Sequence, residues 1–311
     1  LVKKKDEPGV NKMYYYLAFG LKVCSELQCP YRSIEPTKEI DIKIEGGNVP
    51  DYLPNNDPHA CYQRFQDKIL IQDPLTGKFL VQNGTHIFFD LPSNINVKTS
   101  LLPSYVFAAL LQQRSYFVLH ANAVVKDDKA ILLMGSSGKG KSTLTYLLIE
   151  LGCQLITDDI SVIDFSAREI SVLPGSAYLK FTPDNIERFD IKDEMQPAGF
   201  GSTKSCLKTS KSALHPARVS GICLLDIAET ISPYTTKRIK GLEGIKPLLH
   251  NIFFADFSTE GRYATNYFKE CVEIMNQVPL WYLTRSNKFF SGYQIAEFLY
   301  NQFFINDRSI Q

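Results

Sequence analysis

The sequence predicts an α/β chain in two parts, a small β-rich region over residues 13–98 and an α/β domain over 99–311. Three observations predict it. Before residue 98, short apolar runs alternate with turn residues, and Glu39-Ile40-Asp41-Ile42-Lys43-Ile44 alternates with period two, as a half-buried strand does. From Ala130 onward, an apolar run, a glycine-rich turn and a helical run follow one another, the order of a strand–loop–helix unit. In the last third, amphipathic helical stretches dominate. A length of 311 residues suggests about two domains.

The chain's first apolar stretch is Tyr14-Tyr15-Tyr16-Leu17-Ala18-Phe19, suited to a strand in the N-terminal core rather than to a ligand platform. Lys68-Ile69-Leu70-Ile71-Gln72 and Lys78-Phe79-Leu80-Val81-Gln82 flank Asp73-Pro74-Leu75-Thr76-Gly77 and read as a hairpin. Asn83-Gly84 supplies the next turn before Thr85-His86-Ile87-Phe88-Phe89. The result is a small antiparallel meander, with a loop crowded by Pro50, Pro54, Asn55, Asn56, Asp57 and Pro58. A helix is expected from Pro103 to Gln113, with Ser100 or Ser104 as cap and Phe107, Leu110 and Leu111 on one face. Strands follow from Tyr116 to Val125 and from Ala130 to Met134, around the charged turn Lys126-Asp127-Asp128-Lys129. Further strands are expected from Cys153 to Thr157, Ile160 to Phe165 and Glu169 to Leu173. Pro197 to Gly221 loses apolar periodicity and reads as a long loop. Ile222 to Asp226 restores a strand, and helices are expected near Leu242 to Asn251, Tyr263 to Gln277 and Gly292 to Phe304.

Lys and Arg number 34 against 33 Asp and Glu, so no general attraction to nucleic acid or to an anionic membrane is implied. No apolar stretch is long enough to span a bilayer as a helix. Seven scattered cysteines fit a reducing compartment better than a disulfide framework, and the expected location is cytoplasmic. Cys24 and Cys29 are the one close pair and lack a matching partner pair, so zinc is not expected. Residues 1–12, rich in Lys, read as a disordered leader or tag remnant.

Gly135-Ser136-Ser137-Gly138-Lys139-Gly140-Lys141-Ser142 matches the phosphate-loop pattern G-x-x-x-x-G-K-[ST] in full. Its glycines let backbone N–H groups turn toward phosphate oxygens. Lys141 reaches the β/γ-phosphates, the Ser142 hydroxyl ligates Mg²⁺, and Thr143 continues the nucleotide-binding segment. Asp158-Asp159 stands 17 residues beyond Lys141, one helix and one strand later, which returns two carboxylates to the loop's edge of the sheet. Neighbouring side chains on a regular strand face opposite ways, so both serve one site only if the strand ends near Thr157. One would then hold Mg²⁺ and the other act as general base. The alternative is one metal ligand beside one surface or capping acid. His120, in Leu119-His120-Ala121-Asn122-Ala123-Val124, is by composition alone more often a hydrogen-bonded core residue than a catalyst.

The order His120, phosphate loop, Asp158-Asp159 resembles the catalytic domain of HPr kinase/phosphorylase, whose phosphate-loop fold is related to phosphoenolpyruvate carboxykinase. The resemblance covers about residues 110 to 180. It is closest to the HPr kinase-related branch, in which a Leu-His-Ala-x-Ala-Val strand follows a β-rich region and the acidic pair leads to a Pro-Gly segment, here Leu173-Pro174-Gly175-Ser176-Ala177-Tyr178-Leu179-Lys180. That branch includes serine kinases acting on lasso-peptide precursors. The resemblance implies that Asp158 takes the proton from an attacking hydroxyl, that Asp159 and Ser142 hold the metal, and that His120 sits beside the base. With ATP and Mg²⁺ as cofactors, the implied activity is phosphorylation of a hydroxyl, in the first place a serine of a peptide or protein presented by the N-terminal region. The Glu-Arg-Gly signature of HPr kinase/phosphorylases is missing, which argues against HPr recognition and the reverse phosphorolysis.

Other readings remain open: a small-molecule kinase for an amino acid, sugar or nucleoside, a nucleotide-dependent switch, or a plain ATPase. In the expected long loop, Lys204, Lys208, Lys211 and Arg218 are either a solvated basic stretch or a mobile lid. Lys211 and Arg218 are the candidate lid cations that would steady charge on the transferring group.

Overall fold

The computed structural model describes residues 12–93, 101–191, 195–199, 202–254 and 262–305. Lys12 apart, the expected leader lies outside the described residues, as do Ser100 and the boundary between residues 98 and 99.

Eight strands precede the first helix: β1 (Tyr14–Ala18), β2 (Leu21–Ser25), β3 (Arg32–Ser33), β4 (Ile42–Gly46), β5 (Tyr62–Phe65), β6 (Lys68–Asp73), β7 (Gly77–Gln82) and β8 (His86–Asp90). They form one sheet in the order β3-β1-β2-β4-β8-β7-β6-β5. The expected meander describes β5 to β8 alone. β2 pairs with β4, and β4 with β8, in parallel, so the sheet is mixed. Those pairings join residues distant in sequence, which strand-by-strand alternation cannot reveal. The strand expected from Glu39 begins at Ile42. Both turns hold: Asp73 Oδ1 accepts the N–H groups of Leu75 and Thr76, and Asn83 and Gly84 take φ of 56° and 62°, the left-handed pair of a type I′ turn.

α1 (Ser104–Gln113) packs on β7 and also on β9 (Phe117–Lys126) of a second sheet. Val106 through Leu111 are consequently buried all round, the pattern of a helix held between two layers. Ser104 makes no capping bond and faces the site described below.

β10 (Lys129–Met134), α2 (Lys141–Glu150), β11 (Gln154–Thr157), β12 (Ile160–Asp164) and β13 (Ser171–Val172) follow, then β14 (Tyr178–Phe181), α3 (Pro183–Arg188), β15 (Met195–Pro197), β16 (Ser205–Lys208), β17 (Ala217–Ala228) and β18 (Tyr234–Ile239). A 3₁₀ turn (Gly241–Gly244) leads to α4 (Ile245–His250), α5 (Arg262–Gln277), β19 (Leu280–Ser286), α6 (Gly292–Tyr300) and a π-helical turn (Asn301–Ile305). β17 lies parallel to both β10 and β19. Because β17 also pairs with β13, the strands β10, β9, β12, β13 and β17 close a ring. Phe117, Leu119, Ala121 and Ala123 of β9 pack into its apolar filling with Leu132 and Val219. Residues at the alternate positions of β9 face outward: Val118 toward α1, Val124 toward α2, and His120 and Asn122 between them.

The expected loop from Pro197 to Gly221 is broken by strands, with irregular chain left between them. β14, β16 and β15 form a small separate sheet, and β17 begins at Ala217. The segment looks irregular because the four residues of β16 bury Cys206 and leave Ser205 and Lys208 outward, while Arg218 and Ser220 are the outward positions at the start of β17. Among the described residues no helix is long and apolar enough to cross a membrane. All seven cysteines are free thiols, and Cys61 alone is exposed.

Candidate phosphate-loop site

The loop leaves β10 at Gly135 and enters α2 at Lys141. Gly135, Gly138 and Gly140 have φ of 142°, 84° and 104°, conformations that disfavour any side chain. A Cβ on Gly135 would also stand 2.8 Å from the Leu225 carbonyl. α2 has no side-chain cap, so its first-turn N–H groups remain available to an anion at the positive end of the helix dipole. Lys141 folds back across the loop and donates to the Gly135 carbonyl at 2.6 Å. Burial holds its pKa below the ordinary lysine value.

The strand leading to the acidic pair ends at Thr157, as expected, just after a bulge at Ile156. β11 pairs with the Ala123–Val125 stretch of β9, and β12 resumes along the same edge against Phe117–His120. Between them Asp159 takes φ 64°, and the Ile160 N–H returns to the Asp158 carbonyl at 2.8 Å. Asp158 and Asp159 thus lie outside both strands, free of the alternation that would have sent the two carboxylates to opposite faces.

Their surroundings differ. Asp159 lines the cavity, where Lys180 donates to its Oδ2 at 2.5 Å. Burial opposes ionisation there, but Lys180 outweighs it and holds the carboxyl far below the usual range. Burial likewise works against the Lys180 charge, and the two carboxylates prevail, holding it above the ordinary value. Lys180 also donates to Ser104 Oγ at 2.6 Å. Asp158 stands behind this pair and is 6% exposed. Its Oδ2 accepts the Lys180 backbone N–H at 3.1 Å and its Oδ1 has no partner. Burial, then the adjacent Asp159 charge, pushes its pKa up to about 7. Two adjacent carboxyls are thereby driven apart, one fixed as an anion and one able to exchange a proton near neutrality.

His120 lines the same cavity, its ring 5.3 Å from that of Phe253. Burial and then the Lys141 charge lower its pKa to about 4, so it stands as neutral imidazole. Two residues along the same face of β9, Asn122 joins the site's parts. Its carboxamide oxygen accepts the Asp159 N–H at 3.1 Å, its nitrogen donates to Thr145 Oγ1 at 3.1 Å, and that hydroxyl donates to the Lys141 carbonyl at 2.9 Å. The chain of bonds ties the acidic pair to the first turn of α2. Asn122→Leu leaves the Asp159 N–H and Thr145 without these partners. We expect a stability loss of about 2 kcal/mol in urea unfolding, the cost of orphaned buried polar groups. An unchanged midpoint would mean that water replaces the carboxamide.

The cavity, about 710 Å³, is within the usual range for a ligand pocket. The loop contributes Ser137, Gly138, Gly140, Lys141, Ser142 and Thr143 to its wall. Gly135 and Ser136 shape the turn, and Lys139 pairs at 2.6 Å with Asp226 at the end of the neighbouring parallel strand. Asp159 and the Ser142 hydroxyl are hard oxygen donors that both line the cavity. One carboxylate and one hydroxyl completed by phosphate oxygens suit Mg²⁺, so the residues fit that ion.

The two candidate lid cations lie elsewhere. Lys211 pairs with Glu150 at the far end of α2. Arg218 pairs with Glu169 and sits in register with Lys129, five residues before the end of β10, or about 17 Å at strand rise. From that segment it is Lys204 that reaches the cavity wall. Sequence reasoning also missed Lys180, Arg188, Arg285 and the Asn287–Gly292 stretch, all on the wall. Lys180 carried one readable signal: a lysine between Leu179 and Phe181, both buried, faces the polar side of its strand.

No protein-family model matches the chain, and no curated protein matches it. Among solved structures the chain is similar to the Hpr(Ser) kinase/phosphatase from Coxiella burnetii. The two are 15% identical over 60% of this chain and 95% of that one, with a TM-score of 0.31.

Proposed function

We propose that the chain is an ATP- and Mg²⁺-dependent kinase that phosphorylates a hydroxyl, a serine of a peptide or protein in the first place. One observation carries the reading: a phosphate loop and the ion-paired carboxylate of Asp159 line one cavity, and Asp158, its pKa pushed up to about 7, stands directly behind them. Phosphoryl transfer asks a protein for positioning, charge neutralisation and a base, and little else. Lys141 and the first-turn N–H groups of α2 would hold the phosphates; Ser142 and Asp159 would hold Mg²⁺, whose part is to neutralise phosphate charge. Asp158 would accept the acceptor's proton on Oδ1, the atom left without a partner. Because Asp158 stands behind Asp159, the hydroxyl reaches it only once the Lys180–Asp159 ion pair has parted. Neutral His120 would orient the acceptor by a hydrogen bond rather than by charge. The resemblance in the order of His120, loop and acidic pair supports the same roles, and the N-terminal sheet is the proposed surface for presenting substrate.

The test is transfer of label from γ-labelled ATP with Mg²⁺ to serine-containing peptides, including those encoded beside this gene. Label on serine is the expected result; release to water alone would reject the kinase reading in favour of an ATPase. The pH profile checks the base separately. With Asp158 ionising near 7 and required as the anion, kcat/KM should rise about tenfold per pH unit below 7 and level off above it. His120, already neutral above about 4, should add no break near 6.5. A flat profile between pH 5.5 and 8 would remove Asp158 from the role.

A further inference from the structure

The sheet places the two walls of the cavity on either side of the phosphate loop. The strand order runs β11, β9, β10, β17, β19, with the loop after β10 in the middle. The acidic pair follows β11, two strands to one side. The segment Asn287–Gly292 follows β19, two strands to the other, and α3 lines the same cavity. The reacting end of a bound nucleotide belongs at the acids, so its other end runs toward β19 and α3.

That second wall is built differently from the first. Phe289 and Phe290 are 43% and 38% exposed and both face the cavity. The Arg188 guanidinium carbon stands 4.4 Å from the Phe290 ring centroid, a cation stacked on the aromatic at the cavity wall. Phe189 and Tyr293 back Phe290 at 6.2 and 5.7 Å between centroids, which fixes the ring's position. Gly292 keeps the entry to α6 close, since a Cβ there would stand 2.5 Å from the Phe290 ring. Thr143, in the first turn of α2, accepts a hydrogen bond from Asn185 of α3 at 3.0 Å, so α3 is tied to the helix that the loop enters. Two adjacent exposed aromatics, a stacked guanidinium and the Asn287 carboxamide make a surface for a flat heteroaromatic ring with polar edges.

We infer that Phe289, Phe290 and Arg188 form the base subsite of this cavity and select a purine nucleoside triphosphate over a pyrimidine one. The subsite rests on the nucleotide-binding part of the proposed function and needs none of the transfer chemistry. A purine offers a larger stacking face than a pyrimidine, and that difference is what the wall reads.

Isothermal titration of the full chain with Mg²⁺ and ATP, GTP, UTP or inorganic tripolyphosphate tests it without any acceptor. ATP or GTP should bind at least tenfold more tightly than UTP and tripolyphosphate. Equal affinities for all four would overturn the subsite. Phe290→Ala should weaken purine nucleotides about ten- to hundredfold, the loss expected on removing one base-stacking ring, and leave tripolyphosphate unchanged. Phe290→Tyr, which keeps the ring should the alanine variant fold poorly, should retain the purine preference, and Arg188→Ala should reduce it. Purine preference surviving both Phe290→Ala and Arg188→Ala would overturn the assignment. Purine preference with no transfer to any acceptor would leave the subsite standing and reject the kinase. Failure of tripolyphosphate and nucleotides alike to bind would reject both.

Discussion

Asp158→Asn is expected to lower phosphoryl transfer by at least a thousandfold while ATP affinity stays within a few-fold of the parent. The amide keeps the carbonyl oxygen that accepts the Lys180 N–H, so the local backbone has no reason to move. What it loses is the ability to take a proton on Oδ1. General-base loss costs about 10² to 10⁴ in rate, and a base acting on an otherwise unactivated hydroxyl belongs at the upper part of that range. The same substitution should raise thermal stability at pH 8. Between about pH 4 and 7 the folded chain keeps a proton on Asp158 that the unfolded chain has released, so stability falls as pH rises across that window. Above 7 the whole cost of burying the charge is present, and the neutral amide avoids it. Asp159 runs the other way: its depressed pKa contributes stability that is lost as pH falls below about 4. Loss of transfer together with a higher Tm is a signature that simple misfolding cannot produce. Transfer that survives the substitution would show that the base is another group.

Much of this site was legible in the chain because its chemistry sits at fixed spacings. The phosphate loop and the adjacent acids announce themselves by residue type, and the outward face of β9 follows from alternation, which puts His120 and Asn122 on one side. Where reading failed, the information was not local. Parallel pairing of β2, β4 and β8 joins residues more than ten positions apart, and no turn between them specifies it. The strand does end at Thr157, but its continuation as β12 on the same edge of β9, which makes Asp158-Asp159 a two-residue break, is set by pairing with a distant strand. Charge alone marks Lys211 and Arg218, and charge does not say which way a side chain faces. Arg218 falls within β17 and Lys211 between β16 and β17, and both pair with surface carboxylates. Lys180 belongs to no motif, and its importance comes from a strand in a separate small sheet that brings it against the acids.

Lys180→Met is expected to destabilise the fold by about 3 kcal/mol, read as a lower urea midpoint at constant m. The side chains of Lys180 and Asp159 are 16% and 21% exposed, so removal of the cation leaves a mostly buried carboxylate without its counter-charge. A surface pair such as Lys211–Glu150, about half exposed on both sides, should leave the midpoint where it is when broken. The double variant Lys180→Met with Asp159→Asn should recover most of the loss, because both members of the pair are then uncharged. Mg²⁺ sharpens the test. Lys180 and the ion compete for Asp159, so in the parent chain Mg²⁺ alone should raise the Tm little, whereas in Lys180→Met the vacated carboxylate should let it raise the Tm by several degrees. A nucleotide would then serve two purposes in the parent chain, supplying the remaining metal ligands and giving the displaced ammonium a phosphate to pair with. That exchange would expose Asp158 only when donor and metal are both bound, which limits idle hydrolysis. If Lys180→Met is as stable as the parent and responds to Mg²⁺ no differently, the ion pair is incidental and the access of an acceptor to Asp158 has some other gate.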